Sequence, residues 1–408
     1  MQVHKRFRLF LAFAVGLIAS DIARSETVLG RVTVSFAVAG EAHAVVIPSG
    51  FRLELLTEAL QSPRLLTFAP DGDLFIGSKS GQVYRLPPPY REPEVFANPG
   101  GYPHAVAFRP GEILIAYTEG LYSAPYEPGR APLRRGEQRL LAALPAGGGG
   151  HRSSTVRVGP DGQIYVSLGI SGNCSNEYLG EDYAFQDRRG GVLVLDKSGL
   201  KPTWRNFASG LRNPIGFDWH PETGALYASN NGPDHRGFEL RPEYFSQLMP
   251  GCFHGMPWFQ FNGESLRRDN CIRVQPPRPA EAVERPVVTF PARSAPMAVA
   301  FVPRGALSPD LEGDAIIALR GSWATRPHGR ASGDPATRRE SKLVLVRFEN
   351  GEPCAVDDLM TGFQREDGSR WARPVGVAVG PDGALYFTSD AGANARFRLS
   401  PGNEQPRG

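Results

Sequence analysis

The sequence is poor in residues that build redox or metal centres on their own. Its four cysteines, Cys174, Cys252, Cys271 and Cys354, include no Cys-x-x-Cys pair, which removes the simplest zinc and dithiol chemistry. There is no His-Glu-x-x-His and no Cys-x-x-Cys-His, so neither a metalloprotease helix nor a covalently attached haem is encoded. The N-terminal apolar run, Leu9 to Ala19, is eleven residues long, about half of the roughly 20 needed to span a bilayer. Basic blocks are missing as well, which argues against nucleic acid as a partner.

What the first residues do contain is a basic start (His4, Lys5, Arg6, Arg8), that apolar run, and small residues from Ser20 to Ser25, the order of an export signal. Residues 1–25 are therefore expected to be removed, leaving 26–408 as a periplasmic or secreted protein. Removal deletes four basic residues against Asp21 and leaves 41 charges of each sign, so the excess of three positive charges belongs to the signal. In an oxidising compartment an even set of cysteines suits one or two disulfides, and Cys252 with Cys271, which bracket one insert, is the first expected pair.

Glycine and proline are abundant, 47 and 37 residues, and they fall in a repeat. LLTFAPDGDLFIGS (65–78), AVAFRPGEILIAY (105–117), TVRVGPDGQIYVSL (155–168), IGFDWHPETGALYAS (215–229), PMAVAFVPRGAL from 296 and VGVAVGPDGALYFTS (375–389) share one plan: an alternating apolar strand, a turn, and a second strand rich in aromatic and branched residues. Proline presets φ at the turn, aspartate bonds its own backbone, and glycine takes the left-handed position, so each copy is a hairpin. Copies start about 40 residues apart and spread to about 80, the spacing of four-stranded propeller blades with loop inserts. A ring buries each blade against its neighbours and leaves no long free edge. The fold expected is all-β, a single six-bladed β-propeller with inserts at about 234–290 and 304–341; an open sandwich or two small barrels are the alternatives. FRLELL, beginning at Phe51, is expected to close the ring by joining the last blade.

In a propeller the residues just ahead of each innermost strand converge on one mouth. Aligned on the turn prolines, the positions nine before are Gln61, Gly101, His151, Arg212, Ser294 and Ala372, and those eight before are Ser62, Tyr102, Arg152, Asn213, Ala295 and Arg373. Histidine, arginines and amides around one opening suit a carboxylated small ligand with an imidazole placed for proton transfer. His151 follows four glycines, Gly147 to Gly150, which permit close backbone approach. Asn230-Asn231-Gly232-Pro233-Asp234 forms a turn that presents carbonyl oxygens, the donors hard cations prefer.

HRSSTVRVGPDGQIYVSLG (151–169), FASGLRNPIGFDWHPETGALYASNNGPD (207–234), GDAIIALRGSWATRP (313–327) and RPVGVAVGPDGALYFTSDAGA (373–393) resemble the soluble pyrroloquinoline quinone (PQQ)-dependent sugar dehydrogenases, in particular the glucose/sorbosone dehydrogenase-like branch. The resemblance implies a catalytic pair, His151 as proton acceptor and Arg212, with Asn213, Arg320 and Arg373 at the cofactor and the carbonyls of Gly232 and Pro233 on a Ca2+ ion. It further implies a sugar or polyol substrate and an external electron acceptor. Two departures stand out. Ile170-Ser171 follows the Leu168-Gly169 strand end where relatives carry an aspartate that orients the histidine, so Glu181 or Asp182 is a candidate substitute. Arg320 falls where some relatives have lysine. A calcium-dependent lactonase or a non-catalytic binding propeller are the competing readings, the former requiring several carboxylates at the channel.

Overall fold

The computed structural model describes residues 29–199 and 201–402; the export segment expected at 1–25 lies outside them. Six antiparallel sheets follow one another along the chain as the blades of a propeller. Blade 1 takes its strands from Pro63–Phe68 to Glu94–Ala97, blade 2 from Ala105–Arg109 to Arg139–Ala143, and blade 3 from Ser154–Val158 to Thr203–Ser209. Blade 4 begins at Phe217–Trp219 and ends at Val288–Phe290, and blade 5 spans Pro296–Phe301 to Glu352–Met360. Blade 6 joins Ala372–Val379, the long run Leu385–Pro401 and Phe51–Thr57. That run doubles back on itself: the Phe387 and Phe397 rings stack with centroids 4.8 Å apart, and Arg398 Nε donates to Tyr386 Oη at 3.2 Å. It therefore supplies both middle strands, and FRLELL closes the ring on the outside, Leu53 opposite Leu399.

The turns form as their residue types dictate. At Pro70-Asp71-Gly72, Pro160-Asp161-Gly162 and Pro381-Asp382-Gly383 the glycine has φ of +89°, +72° and +73°, and each aspartate Oδ1 accepts from the amide two residues on. The second aspartate oxygen then accepts from a tyrosine phenol: Tyr126, Tyr165 and Tyr386 respectively. Inner strands from the six blades bury small and branched residues in one cluster, among them Leu65, Ala105, Val156, Ala298 and Val377, with Ile215 from the segment leading into blade 4. Aromatic residues fill the wider gaps farther out, as where Phe75 meets Phe96, Phe108 and Tyr126.

The segment 234–290 gives two of its stretches, Glu243–Leu248 and Val288–Phe290, to blade 4 itself, and 304–341 contains the blade 5 strand Ala315–Leu319. The cysteine pairing differs from expectation: Cys174 is bonded to Cys271, while Cys252 and Cys354 are free. Cys252 lies on a short strand parallel to Ala208 and is buried with its Sγ 3.2 Å from His254 Nε2, facing inward, away from a partner in the insert.

Candidate active site

His151 sits at the end of the glycine run. A side chain at Gly149 would place its Cβ 2.3 Å from the Ser171 carbonyl oxygen, and one at Gly148 would lie 2.4 Å from Arg189 Nη2, so the approach is open only to glycine. The His151 amide donates to Gly148 O at 2.6 Å, and buried Arg189 ties the turn together by donating from Nε to Gly169 O (2.8 Å), from Nη1 to Pro145 O, and from Nη2 to His151 O (3.4 Å).

The imidazole Nδ1 lies 2.6 Å from the carbonyl oxygen of Ile170. A carbonyl only accepts, so Nδ1 bears the hydrogen and Nε2 carries the free lone pair. Ile170 thus does what the aspartate of relatives was expected to do; Glu181 and Asp182 are both exposed and neither hydrogen-bonds the imidazole. Glu177 supports the arrangement one step back, accepting from the Ser171 amide (2.5 Å) and hydroxyl (2.6 Å). Burial, then the neighbouring Arg212 charge, pushes the His151 pKa down to about 4, which keeps the ring neutral across the physiological range.

Arg212 and Asn213 stand beside it. The Ile170 amide donates to Arg212 O at 2.8 Å, and a Cβ on Gly169 would fall 2.5 Å from Asn213 Oδ1 and 2.7 Å from His151 Cβ. Arg212 is buried and fully engaged: Nε donates to Asn173 Oδ1 (2.8 Å), Nη2 to Asp234 Oδ2 (2.6 Å). Asn213 Oδ1 is buried with no partner among the described residues, an acceptor left open at the site. The Cys174–Cys271 disulfide adjoins Asn173 and fixes the loop that holds Arg212.

Arg320 and Arg373 meet on the other side of the mouth, where Arg373 Nε donates to Arg320 O at 3.2 Å and its Nη2 to Gly321 O. Arg320 Nε reaches Asp390 Oδ1 (2.7 Å), and Asp390 Oδ2 receives Arg64 Nη1 (2.6 Å) with Lys79 Nζ at 3.7 Å. Asp390 is held well below the usual carboxylate range because those cations outweigh its burial. One carboxylate therefore serves three cations, and among the described residues the Arg373 and Arg370 side chains donate to no carboxylate, only to carbonyls and, for Arg370, to the Gln364 amide oxygen. Burial and like-charge repulsion push Arg373 down to about 9, Arg370 to about 10 and Lys79 to about 8. The segment Arg293–Ala295 links the two sides: its backbone carbonyls accept from the amides of Ser322, Gly321 and Arg320, while the Arg293 side chain reaches Asp234.

The residues fit a flat ligand with several carboxylates: unneutralised guanidinium groups at one end, an open amide oxygen and a neutral imidazole at the other. The proposed calcium donors fare differently. Pro233 O already accepts from the buried Arg293 Nη1 at 3.0 Å, and the same guanidinium donates to Asp234 Oδ1, Asp234 O, Gly237 O and Leu240 O. A divalent cation on Pro233 O would have a buried positive charge as its neighbour, so Pro233 O as arranged does not fit calcium.

Sequence alignment missed Asp234, Asp390, Arg64, Arg293 and Glu243. The last is buried, accepts from the Ala295 amide, and is pushed up to about 8 by burial. A signal existed for part of this set: the positions nine after the turn proline are Lys79, Gly169, Asn230 and Asp390 in four of the six copies, all at this mouth. Asp234 and Asp390 are both committed to arginines.

Among the described residues no helix is long and apolar enough to cross a membrane. A Borreliella burgdorferi protein described as uncharacterized is 23% identical over 367 residues, covering 86% of this chain and 90% of its own. Among solved structures, the calcium structure of a Trichoderma reesei carbohydrate-active enzyme of family AA12 superimposes with a TM-score of 0.72 at 16% identity, over 90% of this chain and 99% of that one. The holo form of the pyranose dehydrogenase PQQ domain from Coprinopsis cinerea gives 0.67 at 18% identity, over 88% and 97%. These likenesses show a shared propeller fold. The model of the Glucose / Sorbosone dehydrogenase family matches residues 132–398, a span that holds His151, Arg212, Asn213, Arg320 and Arg373, and the chain belongs to that family.

Proposed function

We propose that the protein is an exported PQQ-dependent dehydrogenase that oxidises a sugar, polyol or sugar aldehyde and hands the electrons to a separate acceptor. The observation that carries this reading is the pairing, across one mouth, of a neutral histidine of fixed tautomer with a cluster of cations that has too few carboxylates of its own. Family membership and the named structures support it.

When bound, the quinone would supply the acceptor for the hydride equivalent that leaves the substrate carbon. Arg373, Arg320 and Lys79 would hold its carboxylates, and Asn213 Oδ1 would accept from a donor on cofactor or substrate. His151 Nε2 takes the proton of the sugar hydroxyl, with Nδ1–H anchored on Ile170 so that the ring cannot turn its lone pair away. Arg212, itself held by Asn173 and Asp234, places a fixed positive charge beside the imidazole and disfavours its protonation before substrate arrives. No step is assigned to calcium, because the Arg293 guanidinium already occupies Pro233 O and Asp234 Oδ1.

The test is to add PQQ to the purified full chain and measure thermal stabilisation, the cofactor spectrum, and dye reduction with aldoses, ketoses and sorbosone. Stabilisation with sugar-dependent dye reduction is expected. Absence of both stabilisation and spectrum would refute the quinoprotein reading.

A further inference from the structure

A large cavity lies beside the catalytic mouth. A half-open groove of about 1610 Å³ runs over blades 1 to 3, well beyond the roughly 300–1,000 Å³ that suits a single small ligand. It adjoins the mouth: Gly149, Gly150 and Arg152, the chain neighbours of His151, line its wall, and so does Lys79, whose ammonium group faces Asp390. A ligand lying in it therefore passes beside the segment that carries the base.

Its lining has the chemistry of a carbohydrate subsite. Tyr102, Tyr117 and Tyr122 line it together with the amide side chains of Asn98 and Gln138; Tyr117 and Tyr122 stand edge to face at 5.1 Å, and Tyr117 Oη donates to Gln138 Oε1 at 2.6 Å. Its charge is one-sided: Lys79, Arg134, Arg135 and Arg152 against Glu119. Arg135 and Arg152 are exposed, and among the described residues neither side chain forms an ion pair. Guanidinium groups held out in a polar groove without partners are suited to carboxylates, which they bind in a forked geometry.

We infer that this groove binds an oligosaccharide carrying carboxylates, a short uronate-containing chain, alongside the segment that carries His151; oxidation of that chain rests on the dehydrogenase reading above, the binding does not. A neutral chain would leave both guanidiniums unanswered, and a monosaccharide would leave most of the groove empty.

The experiment is calorimetric titration of the full chain, without quinone, with galacturonate, trigalacturonate and a neutral glucose trisaccharide. Trigalacturonate is expected to bind at least tenfold more tightly than either of the others, with affinity falling as salt rises. The double variant Arg135→Gln/Arg152→Gln, checked for an unchanged melting temperature, should lose at least tenfold of that affinity and leave the neutral trisaccharide unaffected. Equal binding of acidic and neutral trimers, no gain of trimer over monomer, or binding only of a small acidic redox protein would each overturn the inference. The two readings fail separately: trigalacturonate binding with no dye reduction by any sugar sinks the dehydrogenase and spares the groove, whereas glucose oxidation without trimer binding sinks the groove alone.

Discussion

The two sides of the mouth solve opposite electrostatic problems. On the blade 3 and 4 side, the polar groups around His151 answer one another almost completely: Arg212 with Asn173 and Asp234, Arg293 with Asp234, Ser171 with Glu177. On the blade 6 and 1 side, Asp390 alone faces Arg64, Lys79 and Arg320, and Arg373 has only carbonyls. Satisfied networks fix geometry, and an excess of buried cations stores affinity for an anion. The first side is built to hold a base in place, and the second to hold a ligand's carboxylates.

The largest expected effect separates those roles. His151→Ala should lower kcat by roughly 10²- to 10⁴-fold, the range of a positioned general base, with PQQ affinity changed less than about threefold. Parallel loss of cofactor binding, followed by quinone absorbance on titration, would erase the division. On the opposite side Arg373→Ala should weaken PQQ by about 1.5–3 kcal/mol, roughly 10- to 100-fold, since a charge-assisted contact is lost from a desolvated site. The same variant should leave kcat at saturating cofactor within about threefold; a larger fall would show that Arg373 touches the reacting centre.

The pH profile sharpens the comparison from both ends. On the proposed reading His151 is the neutral base, and the rate should be lost only as pH falls through its depressed pKa of about 4, not through the ordinary 6.5. The cation side responds in the other direction: Lys79 gives up its charge as pH rises through about 8, while the Arg373 guanidinium keeps its own, so cofactor affinity should decline on the alkaline side by the share Lys79 carries. Log kcat/KM against pH, with PQQ affinity measured in parallel, checks both limbs. An acid limb near 6.5 would mean that His151 is solvated like a free histidine.

Much of this was legible in the chain because the fold is periodic. Three proline-aspartate-glycine turns and three proline-glycine variants of them give six hairpins, and position relative to each turn proline pointed to His151, Arg212, Asn213 and Arg373 around one mouth. What escaped were pairings across large separations: Arg64 with Asp390 joins residues 326 apart, and no local pattern announces it. Cys174 with Cys271 escaped for the same reason, since the insert folds back over blade 3 rather than closing on itself. Ile170 escaped because the group that orients His151 is a backbone carbonyl, which every residue has and no side chain reveals.

Arg293 gives the smallest expected effect and the finest test of how the balanced side is built. Its guanidinium, almost fully buried, donates to Pro233 O and Asp234 Oδ1, and through Nη2 to three further carbonyls, so a positive charge already occupies the turn whose oxygens would have served a metal. Chelation with EGTA should then change PQQ affinity by less than about threefold, and terbium luminescence should show no site on the untreated protein. Arg293→Gly, tolerable at a φ of +77°, removes the charge and leaves Asp234 and the carbonyls facing one another, an arrangement of oxygens that hard cations favour. That variant should be destabilised and regain melting temperature on addition of calcium, whereas the parent should not respond. A calcium requirement in the parent would show that the metal displaces Arg293 from Pro233, and the charge balance of this side would then depend on the ion and not on the chain.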